Sequence, residues 1–225
     1  MLDDYTGNWE LSGLPIDSEY DAATTNSIFL AWIENLGNHI GELAAGIEAE
    51  IQHRDDFYWD FAFGPAGMDL YQLHTLTISY FEISSYLIVS DELRCAPPSD
   101  NTKRLIDAIY SRKGHVLDDS QKQRNAFKRL QSDQNLNAGF YKFVLSESGL
   151  LDNTESEVLK RVNSIRGDFV HDFFQILEID DKDRALDLVK DCQVLLNVIS
   201  DLLHEHIEYD SDIYHLVTQN NDESN

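Results

Sequence analysis

The sequence predicts an all-α fold. Apolar residues recur at three- and four-residue steps through most of the chain, and the prolines fall between those stretches. No segment alternates apolar and polar residues as a half-buried strand does, and there is no internal repeat or low-complexity block.

The elements follow in order. Residues 1–22, with Gly7, Gly13 and Pro15, read as an irregular acidic N-terminal arm. From Thr25, the positions Phe29, Trp32, Ile33, Leu36, Ile40, Leu43, Ile47 and Ile51 form one apolar stripe over about seven helical turns. A loop at Phe63-Gly64-Pro65-Ala66-Gly67 leads to a second helix from about Met68 to Leu93, with Leu70, Leu73, Thr77, Phe81, Ser84, Leu87 and Ile88 inward. Ser84 and Ser85 are small enough for another helix to approach closely. Pro97 and Pro98 end it, since proline removes a donor and clashes with the preceding turn.

Asn101 or Thr102 is placed to cap a short helix through Tyr110. Residues 120–133 are polar and basic, anchored by Phe127 and Leu130, and Phe140, Tyr141, Val144 and Leu145 mark a short helix ending at Ser148-Gly149. Asn153-Thr154-Glu155 has the make-up of a helix start, and the helix it opens carries Val158, Leu159, Val162, Ile165, Phe169 and Phe173. A last long helix, about Lys182 to Ile207, presents Ala185, Leu188, Cys192, Leu195, Leu196, Ile199, Leu202 and Leu203. The expected organisation is an arm over 1–22, one helical domain over 23–209 with its core at about 68–208, and a loose acidic tail over 210–225.

Composition narrows the function classes. With 225 residues, 42% hydrophobic and 26% charged, the chain has material for one sizeable core. The most apolar run, Leu76 to Val89, is too short for a bilayer and is broken by Glu82, so no membrane span is expected. Cys95 and Cys192 give neither a disulfide framework nor a CxxC pair, and the acidic start Met1-Leu2-Asp3-Asp4 is unlike a signal peptide; both favour a cytoplasmic protein.

The net charge of −24 is uneven. Residues 103–166 hold 12 of the 17 basic residues and 8 of the 41 acids, a local balance of +4, which leaves −28 for the rest. Such asymmetry suits a chain whose different surfaces meet different partners.

One short segment carries candidate chemistry: Arg166-Gly167-Asp168-Phe169-Val170-His171, preceded by Val162-Asn163-Ser164-Ile165 and followed by Asp172-Phe173-Phe174. Histidine moves protons near neutral pH, and arginine holds phosphate through a charged fork. Positions five apart on a helix lie roughly 140° apart around its axis. Arg166 and His171 therefore meet one phosphate only if the helix loosens at Gly167 or if two chains supply complementary halves.

In this context the segment resembles the Arg-x4–6-His signature of the HEPN families, small all-helical prokaryotic domains that are often metal-independent RNases. The order of elements from about 68 to 208 is similar too: a long amphipathic pair, a polar or basic connector, a signature helix and a closing helix. The position after the arginine, often Asn or another polar residue in catalytic members, is Gly167 here, with Asp168 supplying a polar group.

The resemblance implies a homodimer with a composite cleft. His171 would be general acid or base on the ribose 2′-hydroxyl and the leaving oxygen, and Arg166 would hold the phosphate, with Asp168 in support. Lys160 and Arg161 are candidate RNA contacts. It implies no cofactor, a toxin or antiviral-defence role, and a possible antitoxin or defence-system partner protein.

Two other classes compete: a non-catalytic helical scaffold that docks partners, and an acidic nucleic-acid mimic, against which the +4 middle argues. In a purely structural account, Arg166 pairs with Asp168 or Asp172 and His171 is a capping or core residue. The run His204-Glu205-His206, with Glu208, Asp201 and His215 nearby, is not read as a metal site, because the two histidines lie about 200° apart on a helix. Trp32, Tyr80 and Tyr86 are read as core or interface residues.

Overall fold

The computed structural model describes residues 22–53, 65–93, 100–110, 137–171, 182–207 and 209–222, with scattered positions between 122 and 130. The described residues form seven helices and no strand, the all-α architecture expected from periodicity. In chain order these are α1 (Ala22–His53), α2 (Pro65–Glu92), α3 (Asp100–Tyr110), α4 (Ala138–Ser148), α5 (Asn153–His171), α6 (Lys182–His206) and α7 (Ser211–Asp222). None is long and apolar enough to cross a membrane.

The chain divides into two compact units, one of Met1–Ile33 with Glu208–Asn225, the other Glu34–Ile207. In the larger unit α2 is the hub, packing against α3, α4, α5 and α6, while α6 also lies along α5 and α4 lies against α3 and α5. The sequence of α2 explains that position. Leu70, Leu73, Thr77, Phe81, Ser84 and Ile88 are buried as expected, and Ile78, Ser85 and Val89 are buried as well. A helix apolar around most of its circumference needs neighbours on several sides. Burying one such Leu, Ile or Phe contributes roughly 1.5–3 kcal/mol.

The second half of α1 joins this unit through Ile40, Ala44, Ile47 and Ile51, buried at steps of four, three and four. On α6 the buried series Ala185, Val189, Cys192, Leu195, Leu196, Ile199, Leu202 and Leu203 keeps the same period, and its limits match the expected Lys182 to Ile207 within one residue.

Helix ends are written in local chemistry. The Asn137 side chain caps α4 by accepting from the Phe140 N–H, and Gly149 closes it at φ 81°, where L side chains are strained. A reciprocal capping box opens α5: Asp152 accepts from the Glu155 N–H at 2.8 Å, and Glu155 accepts from the Asp152 N–H at 2.7 Å.

Four expectations change. The tail is not loose throughout, because Asp210 accepts from the N–H groups of Asp212 and Ile213 and so caps α7. Within that smaller unit Ser27 donates to the Asp210 carbonyl and accepts its N–H. Trp32 is 56% exposed, since the buried stripe runs through Leu30, Ala31 and Ile33 and passes it by. Neither Asn101 nor Thr102 starts α3, which begins at Asp100; the Thr102 hydroxyl donates instead to the carbonyl and carboxylate of Glu92. Leu87 is only partly buried, as are Phe29, Leu36 and Leu43 of α1 and Leu188 of α6. The N-terminal arm over 1–21 and the anchor Phe127 lie outside the described residues.

Candidate active site

The signature segment occupies the last turns of α5, which continues as α-helix through Gly167 to His171. A Cβ added at Gly167 would meet nothing within 4 Å, so the glycine is not demanded by a crowded neighbour. With the helix unbroken, positions 166 and 171 stand about 140° apart around its axis.

Arg166 leans toward α2, where its guanidinium lies 3.8 Å from a carboxylate oxygen of Glu82 and its side chain is 34% exposed. The same Glu82 oxygen accepts the Ala138 N–H at 2.8 Å, placing the acid at the N-terminus of α4, where the helix dipole favours negative charge. At 3.8 Å the arginine contact is electrostatic rather than a hydrogen bond, and the guanidinium makes no hydrogen bond among the described residues. Its fork is held near an acid without being used up.

Register places position 171 on the stripe that carries exposed Lys160 and Ser164, at roughly 20° from Lys160. The side chains of Asp168 and His171 lie outside the described residues.

The two candidate RNA contacts differ from each other. Lys160 is exposed and paired with Glu157 at 3.2 Å one turn back. Arg161 makes a bidentate pair with Asp191 on α6, at 2.7 and 2.8 Å, and that pairing raises its pKa. Arg161 and Arg166 lie about 140° apart by register, so α5 does not bring these cations onto one face.

Behind the Arg161–Asp191 pair, polar groups are sealed between α2 and α6. His74 is fully buried and its Nδ1–H donates to the Leu70 carbonyl at 2.9 Å. Burial lowers its pKa to about 4, opposed by that hydrogen bond and by the charge of Asp191. Burial likewise pushes the Cys192 thiol up to about 12, against a hydrogen bond with Thr77. A thiol held protonated in this way is not a nucleophile.

The His204-Glu205-His206 run splits between two acids. His204 pairs with Glu34 on α1, while His206 lies 3.7 Å from Glu92 on α2. Among the described residues, no group of three or more His, Cys, Asp or Glu side chains is arranged to hold a metal ion.

Sequence reasoning missed Glu82 as the partner of Arg166, having noted it only as a break in an apolar run. Its one legible signal was an acid within an otherwise buried helix face. His74 gave a similar signal, a titratable residue one position from the expected stripe. No family model, no curated protein and no solved structure matches the chain.

Proposed function

We propose that the chain is a HEPN-type endoribonuclease, a toxin or antiviral-defence effector that cleaves RNA as a homodimer. The observation that carries this reading is the continuity of α5 through Gly167, with Arg166 partly exposed and its fork unspent. Of the two routes to a shared phosphate, loosening of the helix is not used, so a second copy of the chain supplies the other half. Arg166 of one protomer grips the phosphate while His171 of its partner moves the 2′-hydroxyl proton. The hydroxyl oxygen attacks the phosphorus, the bond to the 5′-oxygen breaks, and that oxygen leaves as an alcohol once protonated. The step needs no cofactor and requires the 2′-hydroxyl that DNA lacks.

One observation favours a second reading. Because Glu82 both caps α4 and attracts Arg166, the arginine also suits a brace in a non-catalytic scaffold. His171→Ala separates the two. Under the nuclease reading it abolishes cleavage of RNA at unchanged melting temperature, and wild-type products carry 2′,3′-cyclic phosphate or 3′-phosphate ends. Full biological activity in a folded His171→Ala chain would establish the scaffold.

A further inference from the structure

A groove of about 610 Å³ runs between the second half of α1 and the middle of α6, away from the signature helix. Its α1 wall is Glu34, Gly37, Asn38, Gly41 and Glu42, and Leu196 and Asn197 of α6 face it. Such a volume suits a small organic molecule.

The polar groups restrict what that molecule is. Among the described residues the lining contains two carboxylates and no lysine or arginine, so an anion is repelled. Glu34 is held by His204, and Glu42 by an exposed contact to His39 at 3.5 Å. Between them lies Tyr80 of α2, only 2% exposed yet lining the groove. Its hydroxyl sits against Gly37, where an added Cβ would come within 2.8 Å of it, and it makes no hydrogen bond among the described residues. Burial, and then the charge of Glu34, raise its pKa and keep it a phenol. Where it lines the groove, the hydroxyl is a donor and acceptor open to a ligand heteroatom.

Length supplies the second restriction. Glu34 and Glu42 are eight residues apart, about 12 Å along the helix axis. Between them Gly37 and Gly41 leave gaps in the wall beside Asn38, and a Cβ at Gly41 meets nothing within 4 Å. Opposite is Leu196, an apolar surface for a methylene chain.

We propose that this groove binds a linear aliphatic polyamine, with an ammonium group at each of Glu34 and Glu42, its methylenes over Gly37 and Gly41, and an inner amine at the Tyr80 hydroxyl. This site goes beyond the nuclease reading and does not depend on it.

The test is titration calorimetry of the full chain at physiological salt with spermidine, putrescine and butylamine. Spermidine is expected to bind one site per chain, more tightly than putrescine, with the single ammonium of butylamine weakest. Glu42→Gln and Tyr80→Phe should each weaken spermidine roughly ten-fold, as loss of one hydrogen-bonding partner does. Gly41→Leu, which fills open space, should abolish binding at an unchanged melting temperature. Asp212→Asn on α7 should change nothing. Spermidine binding at several weak sites that survive Gly41→Leu would mean condensation on an acidic surface and overturn the proposal. Equal affinity for butylamine and spermidine would overturn it as well, and so would no heat at all.

Discussion

Five residues apart on α5, Arg161 and Arg166 meet acids in different ways. Arg161 spends its fork on Asp191 in two hydrogen bonds of 2.7 and 2.8 Å, binding α5 to α6 beside the sealed His74 and Cys192. Arg166 approaches Glu82 only to 3.8 Å and keeps its donors. The difference is between a fork that is spent and one that is available. A bidentate pair uses up the geometry that makes arginine a phosphate ligand, whereas a loose electrostatic contact orients the side chain and leaves that geometry available.

The largest expected effect lies on the Arg166 side. Arg166→Ala should lower RNA cleavage by about 10²- to 10⁴-fold, the range for a lost catalytic group, and Arg166→Lys should remain impaired because an ammonium lacks the fork. Gel-based cleavage assays alongside thermal melts check this. A large drop in melting temperature would move Arg166 to the adhesive class with Arg161.

The next effect belongs to the sealed side and depends on pH. His74 is neutral in the fold, with its pKa lowered from 6.5 to about 4. As pH falls below 6.5 the unfolded chain takes up the proton first. Stability is therefore lost between pH 6.5 and 4, by up to about 3 kcal/mol. Urea unfolding at pH 7, 5.5 and 4.5 should show this loss, and His74→Gln should flatten it. An identical slope in both chains would remove His74 as its cause.

Smaller effects distinguish the two ion pairs. Glu82→Ala should cost about 1 kcal/mol through the lost helix-end partner of α4. Arg161→Ala, at a side chain 54% exposed, should cost less than about 1 kcal/mol, fall with added salt, and leave cleavage intact. Cleavage lost on Arg161→Ala at unchanged stability would reverse the assignment of the two arginines. The smallest effect is a gain: Gly167→Ala should stabilise by up to about 1 kcal/mol, because its Cβ enters open space and alanine favours helix. A loss there would show that α5 needs a hinge.

Much of this was legible in the sequence because periodicity and caps are local. The limits of α6 followed from its own apolar period, and the stop of α4 from the glycine next to its end. Asp210 carried the same kind of signal for α7 and was hidden by the acidic composition around it. The site was legible only as a segment. That Arg166 faces Glu82, and Arg161 faces Asp191, depends on which helices lie side by side, and no spacing along the chain encodes it. Trp32 failed for a related reason: a stripe drawn over seven turns averages past the place where one helix serves two compact units.

The central claim is that one site draws its arginine and its histidine from two chains, because an unbroken α5 cannot aim both at one phosphate. Mixing Arg166→Ala and His171→Ala chains after unfolding and refolding tests it directly. Random pairing makes half the dimers mixed, and each mixed dimer regains one of its two sites, so activity should recover to about a quarter of wild type. No recovery, with mixed dimers confirmed by mass, would contradict the account.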